Sequence, residues 1–457
     1  VLNRFFGISG RQSSVRREVL GGVTTFVTMA YIIVVNPAIL SAAGIPIGPG
    51  TVATILTAAF GSLLMGLYAN RPIAVAPYMG ENAFIAFGLV ALGATWEQRL
   101  GSVFVAGIVF VLLTVFQVRS KLANAISPSL KYSFAAGIGL FLAFIGLYET
   151  GIVTSGAAGL PAAALMAPGQ ALLRAPDVPL KIGAFRDPQV LLAIGGFVAI
   201  VVLMMRKVPG AILIGMAAAA VGGYAMGFAP APSAMVAMPF TGRYSLAPLA
   251  LHLDVAGVLR LSFLPVLLTL VLMSFLDTLG TLVGVGAAGN MLDNDGNFPQ
   301  VEKPMLVDAL TCVFASLVGS STSGAYIESA TGIREGARTG LAAIVTGLLF
   351  LASLFLLPLA APLQQSRYAY GPALVAVGML MVGSTRKIDF DDLTEALPAF
   401  ACITLMVFTY NIANGLTAGL VLYPVAKIVA GRARELTWGS NVLALLCLTY
   451  FLFGLPH

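Results

Sequence analysis

Stretches of about 20 apolar residues recur along this chain from one end to the other, and a stretch of that length crosses the hydrocarbon of a bilayer as a helix. That repetition leaves one broad class, an all-α polytopic membrane protein. Composition agrees: of 457 residues 58% are hydrophobic and only 10% charged, against roughly 25% charged in soluble proteins. Fifty glycines suit close helix packing in lipid. The start, Val1 to Glu18, is polar and basic through Arg4, Arg11, Arg16 and Arg17, so no cleavable signal pattern is expected there. The net charge of +6 sits in loops beside the spans, where it reads as a topology signal rather than a nucleic-acid surface. Cys312, Cys402 and Cys447 lie in apolar segments without metal-site spacing. His252 and His457 are the only histidines. Neither a metal, a cofactor nor an enzymatic centre is expected.

Fourteen spans are expected near 18–40, 51–69, 79–92, 100–118, 131–148, 189–206, 210–228, 262–286, 305–320, 327–337, 339–358, 371–384, 396–413 and 415–431. The third and tenth are too short for full crossings and read as half-helices preceded by extended chain, an arrangement tolerated only inside protein or along a cavity. With a cytoplasmic N-terminus, seven of the 25 Lys and Arg fall outside (Arg99, Arg174, Lys181, Arg186, Arg243, Arg260 and Arg367) and the other 18 inside, which supports that orientation. Segments 149–188 and 229–261 are expected outside the membrane. The apolar stretch 439–455 is either a further crossing or an interfacial helix.

The two short spans carry acids in apolar sequence: Ala76-Pro77-Tyr78-Met79-Gly80-Glu81-Asn82-Ala83 and Gly324-Ala325-Tyr326-Ile327-Glu328-Ser329-Ala330. Extended approaches are expected at Pro72–Val75 and Ser320–Ser323. Just upstream, Thr57-Ala58-Ala59-Phe60-Gly61-Ser62-Leu63 resembles Thr311-Cys312-Val313-Phe314-Ala315-Ser316-Leu317. Matching features in two halves of seven passages each mean two copies inverted in the membrane, with a binding site between them. On this reading residues 1–228 form the first repeat, 229–261 a connection, 262–431 the second repeat and 432–457 a C-terminal apolar helix.

A charge at membrane depth is expensive and is kept mainly for function. Asp277 stands mid-span with no basic residue within a turn. It reads either as a carboxylate bonded to neighbouring hydroxyls or as a ligand for substrate or proton, since a buried carboxyl without a cation is able to carry a proton. Glu328 opens the tenth span, where it either complements the helix dipole or accepts hydrogen bonds from a ligand N–H pair, with Ser329 and Thr331 on the same turn. Glu81 mirrors it in the first copy, as a proton carrier or as a pin for the broken helix, with Asn82 beside it. Tyr78, Phe84, Phe275 and Tyr326 are candidate walls for a flat ligand, or packing. Thr24, Thr25, Thr28 and Tyr31 form a polar stripe on the first span that faces either a cavity or its own backbone. Asp293 and Asp295 resemble a calcium loop but lack its later Glu and read as a solvated turn. The run Asp389, Asp391, Asp392 and Glu395 reads as a surface loop.

At these residues the chain resembles the adenine/hypoxanthine/guanine permeases of the nucleobase–cation symporter and nucleobase–ascorbate transporter superfamily. The resemblance is carried by Glu18-Val19-Leu20-Gly21-Gly22-Val23-Thr24-Thr25-Phe26 with Met29-Ala30-Tyr31, by Ser274-Phe275-Leu276-Asp277-Thr278-Leu279-Gly280-Thr281-Leu282-Val283-Gly284, and by Tyr326-Ile327-Glu328-Ser329-Ala330-Thr331-Gly332 with Gly340-Leu341. Asn411-Ile412-Ala413-Asn414-Gly415 and Tyr423-Pro424 add to it. It implies seven plus seven inverted segments, with core spans within 18–118 and 262–358 and gate spans within 131–228 and 371–431. It implies substrate between the two half-helices and against the eighth span, with Asp277 and Glu328 matching the family's acids that bind the base and support proton coupling. The residues read as lining that site are Asp277, Glu328, Glu81, Asn82, Phe84, Phe275, Thr278, Thr281, Tyr326, Ile327, Ser329 and Thr25, and Glu81 is a further candidate proton carrier. Two departures stand out. Many purine permeases of this type have Leu at the position of Glu81, and uracil-transporting relatives have His at that of Thr281. The resemblance implies proton-coupled purine uptake across the inner or plasma membrane, the core domain sliding past the gate domain, in a homodimer joined through the gate. The alternatives are a uracil or other heterocycle symporter, a sulfate or bicarbonate carrier of the same fold, and, less in keeping with three unmatched acids, a channel or a membrane enzyme.

Overall fold

The structure is a computed structural model, and it describes residues 2–89, 93–116, 126–156, 158, 180–229, 232, 234–289, 291 and 298–453. The Asp293–Asp295 turn and the distal ends of the third and fourth expected spans, 90–92 and 117–118, lie outside the described residues. The principal helices are α1 (Val15–Met29), α2 (Ile32–Ser41), α3 (Ile47–Leu64), α4 (Met79–Ala83), α5 (Trp96–Val115), α6 (Pro128–Glu149), α7 (Pro188–Met205), α8 (Ala211–Ala225), α9 (Leu264–Ala288), α10 (Glu302–Val318), α11 (Ser329–Arg334), α12 (Gly340–Ser353), α13 (Leu357–Gln365), α14 (Arg367–Val382), α15 (Leu393–Phe408), α16 (Ile412–Val429) and α17 (Trp438–Phe453). Each of the fourteen expected spans falls on a helix or, for the first, on the pair α1–α2. Among the described residues nine helical segments are long and apolar enough to cross a membrane.

Local chemistry fixes where these helices begin. Thr95 and Gln98 form a reciprocal capping box on α5, Ser127 caps α6 ahead of Pro128, Asp187 caps α7 ahead of Pro188, and Asn411 caps α16, each satisfying N–H groups that a helix end leaves open. Two bundles result. In one, α1, α3, α5, α10, α11 and α12 pack together with α9 across them; in the other, α6 packs on α14, α15 and α16, with α7 and α8 against α14. α17 lies on α16 and touches α9. Segment 234–258 is folded against the first bundle: Leu251 N–H donates to Leu317 O at 2.8 Å, Asp254 N–H to Glu97 O at 3.1 Å, and Ala237 N–H to Phe355 O at 3.0 Å.

The two short strands that approach α4 and α11 meet each other. β1 (Val75–Pro77) pairs antiparallel with β4 (Ser323–Ala325), with Ala76 opposite Gly324 at the centre. A second hairpin, β2 (Val153–Ser155) with β3 (Leu180–Ile182), lies in the segment expected outside the membrane. The strands start about three residues later than the expected approaches, because pairing requires a partner; the ladder runs on past Pro77, which lies at a non-hydrogen-bonded position. Flanking bonds are related in the same way: Tyr78 N–H donates to Thr322 O at 3.0 Å and Tyr326 N–H to Ala74 O at 2.9 Å. Subtracting 78 from 326, 74 from 322 and 76 from 324 gives 248 each time, so a local two-fold axis runs through the Ala76–Gly324 pair. Phe60 and Phe314, the aromatic members of the upstream match, stack on each other with centroids 4.2 Å apart and planes 17° apart. This antiparallel meeting of the two approaches is the geometry that two copies inverted relative to each other would have. The fit is close: a Cβ on Gly324 would lie 2.3 Å from the Tyr78 hydroxyl.

Candidate functional site

The half-helix α4 extends through a π turn, Phe84–Gly88, and α11 starts from a tight turn at Ile327–Glu328. The space bounded by α4, α11 and α9 gathers most of the acids that the sequence singled out. Glu328 Oε1 accepts from the Tyr31 hydroxyl at 2.7 Å. Tyr31 occupies the turn between α1 and α2, so the break in the first span aims its phenol at α11. Thr28 bonds both its own helix, at Thr24 O (2.7 Å), and the Thr331 hydroxyl (3.2 Å). The polar stripe therefore serves both purposes. Glu328, Asp277 and Thr281 are half-buried and Ile327 is 56% exposed, which makes this side of the site the accessible one.

Glu81 is fully buried and accepts from the Ser274 hydroxyl of α9 at 2.7 Å. Thr322, Asp277 and Asp308 also lie near it. No ion pair reaches Glu81, Asp277 or Glu328 among the described residues. Tyr78 contacts the Thr278 hydroxyl at 3.2 Å. Its ring lies parallel to that of Tyr326, with centroids 6.4 Å apart and planes 9° apart, and the Tyr326 hydroxyl donates to Pro77 O.

Several residues expected at a ligand also hold the scaffold together. Asn82 accepts from the Ser321 hydroxyl and donates to Asn36 Oδ1, while Asn36 donates to Thr54 at 2.8 Å; this buried chain ties α4 to α2, α3 and the approach to β4. Ser329 Oγ accepts from Ala74 N–H at 3.0 Å and holds the strand crossing. Phe84 (1% exposed) and Phe275 (3%) are packed away, and Thr25 is buried where α1 presses on Gly332 of α11. The two glutamates are also not strict mates. By the 248-residue offset, Glu81 corresponds to Ser329 and Glu328 to Gly80, where a Cβ would lie 2.3 Å from Ile138 Cγ2 of α6. No side chain fits at that corner of the first copy.

Two buried acids escaped the sequence reading. Asp308 on α10 accepts from Ala325 N–H at 3.0 Å and pins β4; the signal was an acid within Leu306-Val307-Asp308-Ala309-Leu310. Glu18, fully buried, accepts from Arg338 and Thr339 N–H at 2.9 and 3.2 Å and so fastens α1 to the start of α12. The acidic run at 389–395 is not a simple surface loop. Glu395 pairs with Lys427 at 3.0 Å and accepts from Ser127 at 2.7 Å, Asp392 pairs with Arg432 at 2.6 Å, and Lys427 is only 1% exposed.

A helical membrane bundle whose two halves cross at paired short strands, with Glu81, Asp277 and Glu328 near the crossing reached by no ion pair among the described residues, defines an integral membrane protein of the transporter type. The chain belongs to the Permease family, whose profile matches residues 16–417. It is 37% identical over 458 residues to the adenine permease AdeP of Escherichia coli, covering 100% of this chain and 97% of that one. It is also 37% identical over 468 residues to the guanine/hypoxanthine permease PbuG of Bacillus subtilis, covering 99% and 100%. The resemblance to nucleobase–cation symporters read from the motifs is thus borne out. Among solved structures, the transmembrane domain of the cyanobacterial bicarbonate transporter BicA shares the fold, with a TM-score of 0.58, 16% identity and coverage of 88% of this chain and 97% of that one.

Proposed function

We propose that the protein is a proton-coupled importer of purine nucleobases. The observation that carries this reading is the half-exposed Glu328 carboxylate, oriented by the Tyr31 hydroxyl at 2.7 Å and placed with Asp277 and Glu81 in a site that no cation among the described residues pairs with. A planar carboxylate accepts two adjacent N–H donors, and those are what the edge of a purine presents. The parallel Tyr78 and Tyr326 rings form the floor on which the half-helices cross. Related proteins named for adenine and for guanine/hypoxanthine support the substrate class.

In this reading Glu328 holds the N–H edge of the base, Asp277 binds base or proton, and Glu81 is a second proton carrier behind Ser274. Protonation together with base binding removes the net negative charge of the site. The first bundle, as core, then slides past the second, as gate, at a reduced cost of carrying charge through low dielectric. The fourteen spans, the cytoplasmic N-terminus, the cell membrane and pairing of two copies through the gate bundle belong to the same proposal. A bicarbonate or sulfate carrier of this fold is disfavoured, because an anion calls for a cation or a free helix N-terminus, and here carboxylates surround the crossing.

The test is thermal stabilisation of purified protein by a panel of purines, pyrimidines and inorganic anions at mildly acid and mildly alkaline pH. The expected result is stabilisation by one or more purines that changes with pH. Stabilisation by an anion and by no base would refute the reading.

A further inference from the structure

A second polar cavity lies apart from the crossing, on the seam between the two bundles. Its volume is about 150 Å³, roughly ten times the ~10–15 Å³ that one water needs: room for a small planar ring system. Ser41 of α2 and Phe87 of the α4 extension line it from the first bundle, and Ile145, Glu149, Arg367 and Tyr370 from the second. Its electrostatics differ from those of the crossing, because here an acid and a base face the same space. Glu149 Oε2 takes both protein contacts, from the Tyr370 hydroxyl at 3.0 Å and from Arg367 Nε at 3.2 Å. The other carboxylate oxygen, Oε1, carries no contact to a described residue. The terminal guanidinium nitrogens of Arg367, whose side chain is 71% exposed, are free to turn inward.

We propose that this cavity is a second, weaker subsite for the transported base, occupied on the way to or from the crossing. The proposal rests on the nucleobase reading above. The donor and acceptor set suits the edge of a purine, where an N–H stands beside a carbonyl or ring-nitrogen acceptor: Glu149 Oε1 accepts from the N–H and the Arg367 guanidinium donates to the acceptor, with the Phe87 ring as an apolar wall. Phe87 lies six residues beyond Glu81 on the same half-helix, about 9 Å away at 1.5 Å per residue. The cavity therefore lies at the far end of the same half-helix from Glu81. The Phe87 edge also rests on Tyr410 of the second bundle, centroids 5.7 Å apart, so the cavity straddles the surface along which the bundles move.

The experiment is equilibrium binding of radiolabelled adenine and hypoxanthine to the purified chain and to Glu149→Gln, Phe87→Ala and Glu328→Gln. The expected wild-type isotherm has two phases. Glu149→Gln abolishes the weak phase or weakens it at least about tenfold, the loss of one charge-assisted hydrogen bond, and Phe87→Ala weakens it about tenfold by loss of ring contact. Both retain the tight phase, which doubles as the control for folding. Glu328→Gln weakens the tight phase about 100-fold and leaves the weak one unchanged. A tight phase alone in the wild type, or a weak phase that survives Glu149→Gln unchanged, overturns the second subsite and leaves the carrier reading intact. Absence of purine binding in every phase overturns both.

Discussion

Removal of one hydroxyl, by Tyr31→Phe, isolates the positioning of Glu328 from its charge. The bond it breaks is 2.7 Å long, from a phenol that is 1% exposed to a carboxylate that is half-buried. A hydrogen bond to a charged group contributes about 1.5–3 kcal/mol. Because Glu328 is partly accessible, water replaces some of what is lost, and the low end, about 1.5 kcal/mol, applies; that is roughly tenfold in affinity. Part of this is the entropy of a carboxylate that now samples more rotamers before it meets the base. Glu328→Gln keeps an acceptor for Tyr31 but sets an N–H₂ against the N–H edge of the base, so a loss of about 100-fold is expected, near the upper end of the charged hydrogen-bond range. The assay is the tight-phase Kd for labelled purine, with near-native thermal stability as the control for folding. An unchanged Kd in both variants would refute the assignment of the base to Glu328. A larger loss in Tyr31→Phe than in Glu328→Gln would refute the division of roles between them.

Three further outcomes are expected. Gly324→Ala drives a Cβ to 2.3 Å from the Tyr78 hydroxyl; overpacking at the strand crossing costs about 1–3 kcal/mol, read as a lowered unfolding temperature together with lost uptake, and a wild-type unfolding temperature would contradict the described packing. Asn82→Leu leaves Asn36 and Ser321 with unpaired buried groups, at about 1–3 kcal/mol each, so the protein loses stability while the folded fraction keeps its tight-phase Kd; a selective loss of base affinity would return Asn82 to the ligand. At the end of the second bundle, hydrogen bonds from Arg432 and then Lys427 hold the Glu435 carboxyl down at about 2, and bonds from Thr394 and Arg432 depress Asp392 further. With folded values below unfolded ones, these groups stabilise above the ordinary carboxyl range near ~4 and lose that contribution as pH falls towards 2. The acid limb of thermal stability should therefore shift in Arg432→Gln, and identical acid limbs would contradict the cluster.

The spans were legible because apolar length alone determines them, and the half-helices because Glu81 and Glu328 interrupt apolar sequence beside short extended segments. The strand limits were less so. Hydrogen bonding between Val75–Pro77 and Ser323–Ala325 is a tertiary fact, and nothing local distinguishes Ala74 from Ala76. The role of Asn82 was illegible for the same reason, since Asn36 and Ser321, the groups it bonds, are 46 and 239 residues away. Similarity of local motif suggested that Glu81 and Glu328 are mates; the pairing register moves them one residue apart, and the Ile138 contact shows why Gly80 stays bare. The run at 389–395 read as solvated because its cation, Lys427, lies on a later helix and is buried by the fold rather than by its own sequence.

The central claim is tested most directly by uptake of a labelled purine into proteoliposomes under an imposed proton gradient, with and without a protonophore. The account requires accumulation above the external concentration that collapses when the gradient is dissipated and is absent in Glu328→Gln. Purine uptake that merely equilibrates, indifferent to the gradient, or no purine uptake at all, would contradict it.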